Sequence, residues 1–430
     1  MDRRSLLRGA VTAGAGLVLV QSTTAAAGAP AGRKTAKLPP SGPRDISYRQ
    51  WTTDAEFATG TAAGVAATGG AVVFAGPIGQ FTYADPFLGT TATYDYATWT
   101  SPEVPVGFAA TEAVASWTAD TPGGSWIAVD LRGITAAGNQ TAWYAMGRWA
   151  ADDGQIARTS VGAQTDADGS IAIDTFIAAA GHGLTRVQLR VTLYRPVGTT
   201  TVPAVRSLGV MTSNVPATAT ATTPQTAQGI TLNVPRYSQE IHAGQYPQWN
   251  GGGEAWCSPT STSMVVAYWG TGPTPADYAW VDPSFADPWV DYAARQTYDS
   301  HYDGTGNWPF NTAYAGRFGL DGFVTRLRSL NEAEAFIAAG VPLVHSLSFK
   351  KNEIPGLTYS TGGHLLVLVG FTASGEPVLN DPASPSNTAV RKTVGRPEFE
   401  AAWLNTSGGL VYVIHPTGHP LPTRPAQPNW

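Results

Sequence analysis

One thiol stands alone in this chain. Cys257 is the single cysteine among 430 residues, which excludes an intramolecular disulfide, a Cys-rich zinc site or an iron–sulfur centre. The thiol is therefore either inert packing or one reactive group. Its setting is Glu254-Ala255-Trp256-Cys257-Ser258-Pro259, followed by Met264, Val265, Tyr268, Trp269 and Gly270. Pro259 suits a first helical turn, where a missing N–H costs nothing, the apolar residues supply a buried face, and Gly270 is placed to cap the end. This pattern predicts a helix over 257–269 with the thiol at its N-terminus. Unpaired backbone donors and the positive end of the macrodipole favour thiolate there, and a thiolate is a nucleophile. A lone cysteine is also commonly a small buried hydrophobe, so position alone leaves both readings open.

A nucleophilic thiol needs a base. Of seven histidines, His364 opens the apolar run 364–371 behind Gly362 and Gly363. Two glycines permit close backbone approach, and a histidine at the start of a buried strand can point its ring into a cleft. The next strand ends at Leu379-Asn380-Asp381-Pro382. A hairpin between the two runs brings Asp381 beside His364, where a carboxylate holds the imidazole in the required tautomer. The bland counterparts are a satisfied core histidine and an Asn-Asp-Pro turn.

Four segments in order, Val234-Pro235-Arg236-Tyr237-Ser238-Gln239, the Cys257 helix, Gly363-His364 and Leu379-Asn380-Asp381-Pro382, resemble the C39-like peptidases of the papain-like cysteine peptidase superfamily. The resemblance extends over about 234–414. It implies an α+β papain-like fold, a thiol peptidase that uses no cofactor or metal, and a peptide or protein as substrate. Carried over residue by residue, it makes Cys257 the nucleophile, His364 the general base, Asp381 its orienting partner and Gln239 the side-chain donor of the oxyanion hole. The sequence departs from the family at Ser258, where a glycine usually separates the cysteine from the proline. It also shows no Gly-x-x-x-x-Gly-Lys-Ser/Thr, the phosphate loop of the transporters in which classical members trim double-glycine leaders.

The elements that must position these residues fall into two regions. Charged residues make up 13% of the chain and apolar ones 43%, a globular composition with room for two or three domains. The net charge of -5, with no basic run after residue 40, argues against a general nucleic-acid partner. Residues 1–28 carry Arg3-Arg4, Leu6-Leu7-Arg8, a short apolar stretch and an Ala-rich end, an export signal that resembles the twin-arginine type. The expected address is secreted or extracytoplasmic, with no membrane span in the mature chain, because the longest later apolar run, 365–371, is far short of ~20 residues. After a linker at 29–45, short alternating segments at 71–75, 115–119, 126–131, 142–149, 171–176 and 186–195 predict an all-β sandwich over 46–213. Cell-surface carbohydrate is one ligand class such a sandwich would take. A solvated Thr/Ala/Pro linker is expected at 214–228. The α+β domain follows over 229–416, with a strand at 230–234, helices at 257–269 and 331–339, and strands at 342–348, 364–371, 377–380 and 409–414. A loose Pro-rich tail is expected at 417–430. Two other functions share these residues: an inactive peptidase-like binding protein, and a cysteine amidase or acyltransferase acting on cell-wall crosslinks.

Overall fold

The computed structural model describes residues 42–430, so the export signal and nearly all of the 29–45 linker lie outside the described residues. From Asp45 to Asn214 the chain forms two seven-stranded sheets whose paired strands are all antiparallel. Some strands alternate as a half-buried sheet requires, whereas Glu112–Asp120 is buried on both faces. In Trp126–Thr135, Ile127, Val129 and Leu131 point inward, and in Leu184–Pro196, Leu189, Val191 and Leu193 do the same. They meet Trp99, Trp117 and Trp149 in one apolar cluster.

The segment 171–176, expected as one strand, is a hairpin: Gly169–Ala172 pairs with Thr175–Ala178, turning at Ile173 and Asp174. Ile173 has a φ of 64°, a left-handed conformation that costs a β-branched residue energy. The turn delivers Asp174 to the second region, where its Oδ2 accepts the backbone N–H of Trp308 at 2.8 Å.

The second region is built on a six-stranded antiparallel sheet, ordered Leu320–Arg326, Leu410–Pro416, Leu343–Phe349, Thr361–Phe371, Pro377–Asn380 and Arg391–Thr393. Successive residues of a strand face opposite sides. Tyr412 reaches Ser258 of the helix Cys257–Tyr268 on one face. His345, in register with Val411, lies against Phe399 and Trp403 of the helix Arg396–Ser407 on the other. The strands and helices read at 257–269, 331–339, 342–348, 364–371, 377–380 and 409–414 form to within a few residues.

Residues 230–234 do not form a strand. Their one bridge joins Thr231 to Gly370, with a second from Gln228 just before them to Phe371, beside a register shift between Leu368 and Gly370. Gly370 allows that approach, since a Cβ there would stand 2.2 Å from the Ile230 carbonyl oxygen.

The two regions share their core. Val114 and Met211 of the first join the apolar cluster of the second, the rings of Tyr48 and Phe323 stack at 4.7 Å, and Val324 N–H donates to Ser116 Oγ at 2.9 Å. The buried Arg326 guanidinium pairs with the Glu112 carboxylate and donates to Ser213 Oγ. Helix Trp308–Gly316 lies between the regions and is buried along its whole length, so it has no polar face and no helical period to read.

Neither connector is loose. Thr222 donates to buried Glu400, and the backbone N–H groups of Gln225 and Thr226 donate to buried Glu334. At the other end, Asn429 Nδ2 donates to the Arg326 carbonyl, Tyr48 N–H donates to that of Pro428, and Trp430 packs against Phe336. Polar composition suggested solvent at 214–228 and 417–430, but these groups reach buried Glu400, Glu334 and Arg326 of the second region. Among the described residues, no helix is long and apolar enough to cross a membrane.

Removing one partner of a buried ion pair strands the other. Glu112→Ala is therefore expected to lower unfolding free energy by about 3–5 kcal/mol in urea titrations, with both regions still unfolding in one transition.

Candidate active site

Cys257 is the first residue of the helix Cys257–Tyr268, and the chain enters it from Trp256 with no side-chain cap on the first turn. The sulfur-bearing residue is partly buried. Ser258 turns the other way and its hydroxyl meets that of Tyr412 at 3.0 Å inside the core. One turn on, Ser261 Oγ donates to the Leu365 carbonyl at 3.1 Å and fastens the helix to the strand Thr361–Phe371.

His364 lies on that strand, three residues inside its start rather than at its opening. No heavy atom would stand within 4 Å of a Cβ on Gly362, so Gly362 does not serve the close approach expected of it. The ring of His364 is only 3% exposed, set edge-on to Tyr359 and Phe349. Its Nε2 meets Asp381 Oδ1 at 2.8 Å, and the neighbouring Cys257 side chain acts with Asp381 to raise the pKa of the imidazole.

Asp381 follows the strand Pro377–Asn380, which pairs with the histidine strand. Its carboxylate is fully buried and fully engaged: Oδ1 also accepts Tyr359 O–H at 3.0 Å and Ala383 N–H at 3.1 Å, and Oδ2 meets Lys392 Nζ at 2.7 Å. Burial works to raise its pKa, but the bond and charge of His364 and those of Lys392 outweigh it and hold the carboxyl below the usual range. Burial likewise works to lower the His364 pKa. The hydrogen bond to Asp381, with that to Cys257, overcomes it and pushes the imidazole up to about 9.

Gln239 caps a short 3-10 turn, Glu240–His242. The preceding stretch is fastened to the loop after Asp381: Gln239 N–H donates to the Pro382 carbonyl, Ser238 Oγ to that of Ser384, and Asn380 Nδ2 to that of Pro235. Its side-chain Nε2 donates to the Glu254 carbonyl at 2.6 Å, three residues before Cys257. Gly253 makes this fold-back possible, since a Cβ there would fall 2.3 Å from the His242 backbone. The four residues singled out in the sequence are thus linked through one chain of contacts. Lys392 and Tyr359 were missed: each sits among other polar residues with no motif to single it out, and only the strand register that sets Lys392 opposite Leu379 reveals its reach. The buried pair of His242 Nδ1 and Asp291 Oδ2, 3.2 Å apart behind this loop, was also invisible, because Asp291 comes from a helix with no motif.

Cys257 thus stands at a helix start, the His364 imidazole is held by a buried carboxylate, and the Gln239 amide is turned to the Glu254 carbonyl. Residues 47–213 match the family model of the peptidase C39 N-terminal domain, and residues 231–411 match that of the peptidase C39-like family. The chain belongs to the C39-like peptidases, with the C39 N-terminal domain ahead of the peptidase-like domain. No curated protein matches the chain.

The imidazole has a folded pKa of about 9, above its ordinary value near 6.5. Its proton-linked stabilisation is therefore fully present below pH 6.5 and lost as pH rises through about 9. Urea titrations at pH 6 and pH 10 should show a loss that is smaller in His364→Gln than in the parent chain.

Proposed function

We propose that this protein is an exported cysteine peptidase that hydrolyses peptide bonds through Cys257, His364 and Asp381, with Gln239 completing the oxyanion hole. The reading that accompanies it is a β-sandwich over 46–213 and a papain-like α+β domain after it, carried out of the cytoplasm by a twin-arginine signal at 1–28. The observation that carries the proposal is the His364 imidazole, buried, held by Asp381 at 2.8 Å and raised in pKa by Asp381 together with the neighbouring Cys257.

In this mechanism His364 and Cys257 work as an imidazolium–thiolate pair. The thiolate attacks the scissile carbonyl, and the C–S bond forms as the carbonyl π pair moves onto oxygen. The developing oxyanion takes hydrogen bonds from Gln239 Nε2 and the Cys257 backbone N–H, the latter free of an intrahelical partner at the first turn. Glu254 accepts one hydrogen of the Gln239 amide and so fixes its plane, with the second hydrogen left for substrate. The tetrahedral centre collapses, the C–N bond breaks, and His364 delivers its proton to the leaving amine. Water, deprotonated by His364, then releases the acyl group from sulfur. Asp381 stays ionised throughout and keeps the ring oriented.

Profiling a peptide library by mass spectrometry tests this directly. Cleavage should vanish in Cys257→Ala, and Gln239→Ala should lower kcat by about 100- to 1,000-fold. Undiminished turnover in Cys257→Ala would overturn the assignment.

A further inference from the structure

We propose that Lys392, assisted by Tyr359, is a positioning residue that sets the pH range over which the Cys257–His364 pair works, by taking part of the Asp381 charge away from the imidazole. The inference rests on the reading of Cys257, His364 and Asp381 as the reacting group.

A carboxylate with a single partner concentrates its charge on that partner. Asp381 instead divides its two oxygens: Oδ1 serves His364, Tyr359 O–H and Ala383 N–H, while Oδ2 is given to Lys392 Nζ at 2.7 Å. Among the described residues, the ammonium is the only full positive charge in direct contact with Asp381 besides the imidazole when protonated. Its stem comes from the edge strand Arg391–Thr393, held in register by Leu379 opposite Lys392 and Asn380 opposite Arg391. Its Nζ also lies 5.8 Å from the Tyr359 ring centroid, so both residues lie on the same side of the carboxylate. Lys392 is 24% exposed at its side chain, whereas Asp381 is sealed. The ammonium is thus the point at which the buried carboxylate meets solvent.

Two effects of this cation act on His364 with one sign. It competes for the Asp381 charge that holds the imidazole proton, and it repels the imidazolium through space. Both make the proton easier to lose. The other ionisable groups facing His364 are Cys257 from the helix start, Tyr359 from the loop before its own strand, and Glu240 from the 3-10 turn, with Glu254 behind Glu240. None of these is a cation. Lys392 is therefore the group that keeps the imidazole from being held too tightly to act as an acid toward the leaving amine. A purely structural role would affect stability and leave the titration where it was.

Because Cys257 is the only thiol, iodoacetamide alkylation of the intact protein reports it alone, with no need to know the substrate. The rate against pH in the parent chain should show an alkaline inflection for loss of the His364 proton. In Lys392→Met that inflection should move up by about one pH unit, in Tyr359→Phe it should move in the same direction by less, and Lys392→Arg should return it toward the parent value. An unmoved inflection in Lys392→Met, with the native circular dichroism spectrum retained, would overturn the inference. If Lys392→Met loses that spectrum, Lys392→Gln and Lys392→Arg decide the matter by the same inflection. A parent chain that alkylates like a free thiol, with no inflection from histidine, would overturn the peptidase reading itself, so the two failures are separable.

Discussion

A carboxylate placed out of reach of water must be ringed by donors or it will protonate, and Asp381 is such a carboxylate. Its donors come from separate stretches of chain: the histidine strand, the loop before it, the edge strand and the turn that follows Asp381 itself. Each bond fixes one strand relative to its neighbour. The register of Thr361–Phe371 on Pro377–Asn380, and of Pro377–Asn380 on Arg391–Thr393, is in this sense the condition for keeping the charge. A slip of one residue would send His364 or Lys392 to the other face of the sheet and leave Asp381 with an unpaid desolvation cost. The sheet edge and the reacting group are one construction.

The second constraint is the seam between the regions. Asp174 meets the N-terminus of the helix Trp308–Gly316 together with Asn307, which accepts from Phe310 N–H. Asp299 takes donors from Ser160 on one side and Asn307 on the other. These are carboxylates placed where helix ends and turns need acceptors, and they cross between the regions. The helix that carries Cys257 stands on this platform, since Thr262 Oγ1 donates to Asn311 in the same buried helix. The first region is thereby part of what holds the thiol in place, whatever else it binds.

The candidate residues were legible because their types and local sequence are unusual: a lone thiol two residues before a proline, a histidine behind paired glycines, and an Asn-Asp-Pro turn. Strands such as Trp126–Thr135 and Leu184–Pro196 were legible because one face of each is more exposed than the other. Helix Trp308–Gly316 was not, because burial on all sides erases the period by which a helix is recognised. The hairpin at Ile173 and Asp174 read as a continuous strand because an isoleucine in a left-handed conformation is a choice that propensity argues against. The Thr-rich connector and the Pro-rich end read as solvated because composition records polarity and not whether Glu334, Glu400 or Arg326 waits to receive it. Lys392 is the plainest case: nothing near it in sequence advertises a partner, and the partner is one strand away.

The bond from Arg44 to the Gly408 carbonyl joins positions 364 residues apart, and Tyr48 meets Pro428 across a similar separation. Contacts of this kind give the chain a high contact order, and topology of that sort slows folding because distant segments must meet before their contacts repay the lost entropy. Such a molecule spends longer as an incomplete chain, with strand edges and an unpaired thiol exposed, than a bead-like pair of independent domains would. Transport after folding, on the route proposed for it, would keep that vulnerable interval inside the reducing cytoplasm.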